Sequence, residues 1–373
     1  MKTIWLHAGI RKAGSTAIQD FLCKNKNALL KKGYDYPIDF HPKALQSYKL
    51  GLSGMPQCGN INHIITNSFA QKKESMQQMI GNLKIADDKD IILSNENFFF
   101  ITGNEKYWKL FRDTIESKSS NHKIKVILYL RRQDEILESM YRQDIQDINH
   151  KNYKFRDDYV DDPDSRSTFD FKKYIDFFVK EFGKENIIIR TFEKDQLKDQ
   201  NVVSDFIEVI GIKNTEGLNI QQESNITFSH EIVEYLRICK NFTPILHKRL
   251  TNYLTVINPK VNSKKISMAN PNLKRKIALE YEVMNNEIAK KYLNQEQLFY
   301  KPLPEEDPEW EPYDMSVEDS VKVSSLLFIS LTQKVFTIQD ELNTLRNSFK
   351  QYLQGQIKLE EEKSKKKSSE KIE

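Results

Sequence analysis

Two short segments of this 373-residue chain carry side chains with a clear chemical use. The first is Gly9-Ile10-Arg11-Lys12-Ala13-Gly14-Ser15-Thr16, directly after a short apolar run and just ahead of a helical pattern. In a glycine-containing strand-to-helix turn the backbone N–H groups converge on a point, and the helix N-terminus adds partial positive charge. Such a turn is an anion site. Gly9 and Gly14 let the chain turn tightly and approach an oxyanion. Ser15 and Thr16 supply hydroxyl donors and Lys12 a cation. The order is not that of a Walker A motif, which places Lys immediately after the second Gly and then a Ser or Thr for Mg²⁺. Here Lys12 precedes Gly14 by two residues. The loop alone leaves two readings open, a phosphate site and a plain turn that happens to hold Gly and Lys.

The second segment is Val126-Ile127-Leu128-Tyr129-Leu130-Arg131-Arg132, with Ser139 eight residues after Arg131. Arg131 falls at the C-terminal end of an apolar run, the edge at which open α/β sheets bind ligands. Ser139 falls about two turns into the helix that follows, so an Arg and a hydroxyl could grip one phosphate from two sides. By itself this pair reads as a surface Arg and a solvated Ser.

These side chains need a scaffold. Ile4–His7, Ile91–Ser94, Lys125–Leu130 and Ile187–Thr191 are short Ile- and Val-rich runs, and Thr16–Lys31 and Phe171–Phe182 have helical spacing. That alternation predicts an α/β fold, a central mostly parallel sheet with helices on both faces. Residues 1–305 form the predicted catalytic domain. The stretch 306–316, among Pro302, Pro304, Pro308 and Pro312, is a linker that no continuous helix can cross. From 317 to 359 apolar residues recur four and three apart, the period of a coiled-coil seam, which implies a homo-oligomer. Residues 360–373 are almost only Glu, Lys and Ser and read as a disordered, solvated tail. Net charge is +4, from 57 basic and 53 acidic residues, so bulk charge does not argue for nucleic acid. The three cysteines, Cys23, Cys58 and Cys239, allow neither a disulfide framework nor a CxxC metal pair. No apolar run approaches the roughly 18 residues of a membrane span, and the N-terminus lacks a signal-peptide core. A soluble, cytoplasmic protein is the expectation.

Taken as an ordered pair, the two segments resemble the sulfotransferase family that uses 3′-phosphoadenosine 5′-phosphosulfate. His7 through Gln19 is similar to that family's 5′-phosphosulfate loop, and Leu130 through Tyr141 to its 3′-phosphate motif. Gly33-Tyr34-Asp35-Tyr36-Pro37, Ser94-Asn95-Glu96-Asn97-Phe98, Asn225 through Ser229 and Asn285 through Tyr292 are closer to the bacterial carbohydrate-type branch. The likeness covers about the first 300 residues. Ala13 stands where a Thr or small residue is usual, Gly14-Ser15-Thr16 replaces Gly-Thr-Thr, and Arg11 replaces a frequent Pro. The Lys- and Gly-rich adenine motif of the vertebrate cytosolic branch is missing, which leaves Arg275 as a candidate adenine contact.

The resemblance implies a P-loop NTPase-like fold and donor binding by Arg11, Lys12, Ala13, Gly14, Ser15 and Thr16 at the 5′ side and by Arg131 and Ser139 at the 3′ side. It also implies catalysis without metal. Lys12 would stabilise the bridging oxygen of the leaving nucleotide. Glu96, just past a strand, would be the general base, with His41 and His63 as alternatives. His7 would pack at the strand end or hydrogen-bond near the donor. The acceptor would be a hydroxyl, chiefly of a glycan, held by loops within 38–75 and 145–170. The rival readings are a kinase-like nucleotide triphosphatase, which requires a Lys after Gly14, and an inactive fold of the same type assembling through its helix, which requires erosion of Lys12, Arg131 and Ser139.

Overall fold

The computed structural model describes residues 1–37, 88–96, 98, 108–109, 112–113, 122–146, 160–161, 163–220, 228–240, 247–258 and 267–369. The expected loops at 38–75, with His41 and His63, lie outside them, as does much of 145–170.

Five strands form one parallel sheet: β1 (Lys2–Ala8), β2 (Tyr34–Asp35), β3 (Asp90–Asn95), β4 (His122–Leu130) and β5 (Ile187–Thr191), in the order β2-β3-β1-β4-β5. Four of them enclose the apolar runs read from the sequence. The fifth, β2, is two residues long and too short for any alternation to mark it. The central strand β1 is in register Ile4 with Ile91 and Ile4 with Ile124. The later parts of β1, β3 and β4 are buried without a break, which is why their apolar residues run on there rather than alternate with polar ones.

One face packs under α1 (Ser15–Lys24) and α2 (Lys26–Lys31). Trp5, Ile92, Ile127 and Tyr129 meet Ile18, Phe21 and Phe206 there. The sequence pattern suggests one helix from Thr16 to Lys31, but it breaks at Asn25. That side chain donates to the Phe21 carbonyl at 2.9 Å and to the Asn219 carbonyl at 3.0 Å, and accepts from the Asn219 N–H at 2.7 Å. An amide that bonds backbone in this way competes with the helix ladder.

Next come α3 (Gln133–Gln146), α4 (Pro163–Phe169) and α5 (Phe171–Phe182). α5 contacts β4 and β5. It starts at Asp170, whose carboxylate accepts from the Lys173 N–H at 3.0 Å, and stops at Gly183 with φ 82°. α6 (Val202–Val209) is capped by Asn201 and returns to the first face. The buried Asp205 pins it there, accepting from the Tyr129 hydroxyl at 2.7 Å and pairing with Arg190. Fully burying a side chain such as Phe206 contributes about 1.5–3 kcal/mol. α7 (His230–Lys240), α8 (His247–Ile257), α9 (Pro271–Glu280), α10 (Glu282–Ile288) and α11 (Val317–Ser369) complete the chain.

The chain separates into two compact units. One collects Met1–Gln143, Lys154–Asn225 and Ser267–Pro312, and holds the sheet. The other collects Asp144–Tyr153, Ile226–Ile266 and Tyr313–Glu373, and holds α7, α8 and α11. The proline-rich stretch is irregular and tied to the first unit: Asn272 and Asp307 exchange two hydrogen bonds, and the Trp310 indole donates to the Ser267 carbonyl. Helix α11 runs past Leu359 to Ser369, into the stretch read from composition as a disordered tail. Glu and Lys are good helix formers, so the low apolar content that suggested disorder does not stop a helix already under way. Within Val317–Gln356 an 18-residue stretch reaches a mean hydropathy of 1.3, enough by length and composition to cross a membrane. No single apolar run there reaches that length; interspersed Ser, Thr and Gln break the runs without lowering the average far.

Candidate active site

Three strands deliver the site to one edge. β1 ends at Ala8 and opens into the Gly9–Gly14 turn; β3 ends at Asn95 with Glu96 next; β4 ends at Leu130 with Arg131 next. All are carboxyl ends of parallel strands. The Gly9 N–H donates to the Asn95 carbonyl at 3.2 Å, which fastens the loop to the Glu96 corner.

The loop tolerates little substitution. A Cβ on Gly9 would lie 2.2 Å from Ser15 Oγ and 3.4 Å from the Glu96 Cγ. Gly14 has φ 83°, and a Cβ there would lie 2.6 Å from the Phe192 ring and 3.2 Å from Val202. Lys12 itself takes φ 67°, a left-handed conformation that costs a residue with a Cβ on the order of 1 kcal/mol. Gly14 is the N-cap of α1 and supplies no capping side chain. Ser15 is 2 % exposed, and its hydroxyl has no hydrogen-bond partner within the described protein. A helix N-terminus without a side-chain cap, with a buried hydroxyl beside it that has no partner among the described residues, has the donors an anion would need. Thr16, expected as a second hydroxyl donor, is exposed, and Ala13 is buried in the core behind the loop.

Arg131 reaches the same loop. One of its terminal nitrogens donates to the Lys12 carbonyl at 3.0 Å, its Nε to Glu135 at 3.2 Å, and its guanidinium lies 5.6 Å from the Phe192 ring centre. Lys12 Nζ donates to Gln143 Oε1 at 3.0 Å. Glu135, Ser139 and Gln143 are spaced by four along α3 and so share one face. The outer two hold Arg131 and Lys12, which sets the half-buried Ser139 between them on the side of the loop. Arg131 is thus tied to the Lys12 backbone and Lys12 to the α3 face that carries Ser139, while Arg275 goes elsewhere, bonded to the Pro304 carbonyl and paired with Glu306.

Burial raises the Glu96 carboxyl above the usual carboxylate range, and the cations of Lys12 and then Arg11 oppose that rise. His7 is buried, with Nδ1 2.8 Å from the Ser94 hydroxyl and its ring edge-on to Tyr129 and Phe206. Gln19 donates to the same Ser94 oxygen at 3.2 Å. Desolvation depresses His7 to a pKa of about 3, so it is neutral at neutral pH and acts as a structural link between β1, β3 and α1.

Sequence reasoning missed Gln143, Glu135 and Phe192. The first two were within reach, because they stand four residues either side of Ser139. Phe192 carries no signal beyond following a strand. An open cavity of about 230 Å³ lies among Arg132, Glu282, Asn285, Tyr300 and Lys301, away from the glycine loop. Its Arg132 is already committed to Asp134 and to the carbonyls of Lys301 and Pro302. Among the described residues no three His, Cys, Asp or Glu side chains cluster as a metal ion would need.

No family model matches the chain, and no solved structure does. An uncharacterized protein of Archaeoglobus fulgidus is 29 % identical over 183 residues, covering 46 % of this chain and 45 % of the relative. The chain therefore matches less than half the length of that relative.

Proposed function

We propose that this chain is a sulfotransferase that moves a sulfuryl group from 3′-phosphoadenosine 5′-phosphosulfate to a hydroxyl, with a carbohydrate as the acceptor class. The supporting observation is the bond from Arg131 to the Lys12 carbonyl, with Ser139 set on the α3 face between the partners of Arg131 and Lys12. A donor with phosphates on two sides of its ribose needs two anion sites held at a fixed separation, and this contact ties the two. The 5′-phosphate would meet the loop amides and Ser15; the 3′-phosphate would meet Arg131 and Ser139. The acceptor oxygen attacks sulfur as the bond from sulfur to the bridging oxygen breaks. The electron pair goes to that oxygen, where Lys12 offsets the charge. Glu96 takes the acceptor proton. The carbohydrate acceptor rests on the likeness of the flanking segments alone.

Calorimetry with 3′-phosphoadenosine 5′-phosphate and with adenosine 5′-phosphate tests the donor site. Loss of charge-assisted bonds to one phosphate should weaken the monophosphate by about 2–4 kcal/mol, and Arg131→Ala should remove most of the difference. Equal affinity for the two nucleotides would sink the assignment of Arg131 and Ser139.

A further inference from the structure

Helix α11 carries two distinct stripes. The first serves its own unit. Val323 is fully buried, and Leu326, Leu327 and Ser330 are half-buried, where the helix meets α7 and α8. The Ser324 hydroxyl donates to the Tyr235 hydroxyl at 3.2 Å. The second stripe begins at Phe328 and is not used by that packing. Phe328 is 71 % exposed, Leu342 59 %, Leu345 66 % and Phe349 61 %, and every side chain from 333 to 356 is exposed. An apolar stripe this long is unfavourable in water and marks an interaction surface.

We infer that a second copy of this chain covers the stripe, as a parallel, in-register coiled coil. Val335, Leu342 and Phe349 recur every seven residues, with Ile338 and Leu345 between them, the two core positions of a heptad. The residues flanking such a seam face one another across a parallel pair at an offset of five. That offset sets Glu341 against Arg346 of the second copy, and Lys334 against Gln339. One pairing is attractive, the other neutral, and neither repels. Parallel register also sets Gln356, the polar residue at the end of the seam, against its own counterpart, where the two amides can bond. A bilayer fits less well. Lys334, Asp340, Glu341 and Arg346 interleave the stripe, whereas a spanning helix is apolar all round. From Phe328 to Tyr352 the stripe covers about 36 Å at 1.5 Å per residue, past the roughly 30 Å of a hydrocarbon core. The inference does not depend on the sulfotransferase reading.

Light scattering and sedimentation of the full-length chain at micromolar concentration test it. An oligomer that dissociates on dilution is the expected result. Leu342→Glu with Leu345→Glu should give a monomer that melts as the unaltered chain does once diluted to monomer, because both side chains are exposed in the single chain. Glu341→Arg and Arg346→Glu should each weaken association by roughly twofold to fivefold, and the double exchange should restore it. Failure of the exchange to restore affinity would overturn the parallel register. A full-length monomer at these concentrations would overturn the inference altogether. If that monomer co-sediments with phosphatidylcholine–phosphatidylglycerol vesicles, a membrane is the occupant instead.

Discussion

Burial and charge pull the Glu96 carboxyl in opposite directions. Desolvation raises its pKa from 4.5, and Lys12 and Arg11 pull it back. A general base works only when deprotonated, so turnover should fall as pH drops through the Glu96 pKa. The acid limb of kcat/KM should therefore lie above the ordinary carboxylate value. Arg11→Ala removes one of the opposing cations and should move that limb to higher pH. Glu96→Gln should abolish the limb and lower turnover by about 100-fold or more, leaving nucleotide affinity nearly intact. Lys12→Ala should lower both turnover and nucleotide affinity, because in the proposed reaction the same ammonium meets the donor and the leaving group. Near-full activity of Glu96→Gln on the true acceptor would transfer the role of base to His41 or His63.

At the scale of elements, the turn between β1 and α1 depends on Gly14. Gly14→Ala meets two penalties, a left-handed φ and the Phe192 ring. Gly33→Ala meets only the first, since φ is +89° and no atom lies within 4 Å of a Cβ there. Thermal unfolding should therefore show about 1 kcal/mol lost for Gly33→Ala and about 2–4 kcal/mol for Gly14→Ala, with nucleotide binding impaired only in the latter. Equal losses would mean that Phe192 gives way freely and does not brace the loop. The elements that sequence could show are those with a strong local pattern. Strands β1, β3, β4 and β5 each carry an unbroken apolar run, and α5 has its own cap and stop. The break at Asn25 was not legible, because it depends on Asn219, nearly two hundred residues away in sequence. The strand-to-helix turn at Gly9–Gly14 was legible because glycines between an apolar run and a helical pattern have a local cause. The grip of Gln143 on Lys12 was not, since an amide on a helix has many uses and only the folded chain brings these two together.

On the scale of the whole molecule, the unit that carries the candidate site ends at Pro312, but that is not the place to cut the chain. Lys12, Glu96, Arg131 and Ser139 all belong to the unit that ends at Pro312. The other unit is assembled from three separated stretches, and the last of them supplies part of its core. The Tyr313 ring lies 4.5 Å from that of His230, the Tyr313 hydroxyl donates to Asp319 at 2.8 Å, and Val323 is fully buried. A chain ending at Pro312 loses all three and uncovers apolar surface on α7 and α8. A chain ending at Thr332 keeps them and loses only the exposed length of α11. Both truncations should bind 3′-phosphoadenosine 5′-phosphate as the full chain does. Scanning calorimetry should separate them: the longer product should melt as the full-length chain does once the latter is diluted to monomer, and the shorter should lose on the order of 2–5 kcal/mol from the transition of the second unit or aggregate through it. Identical melting of the two truncations would mean that the docked turns of α11 add nothing to that unit, and that Val323 is buried without stabilising it.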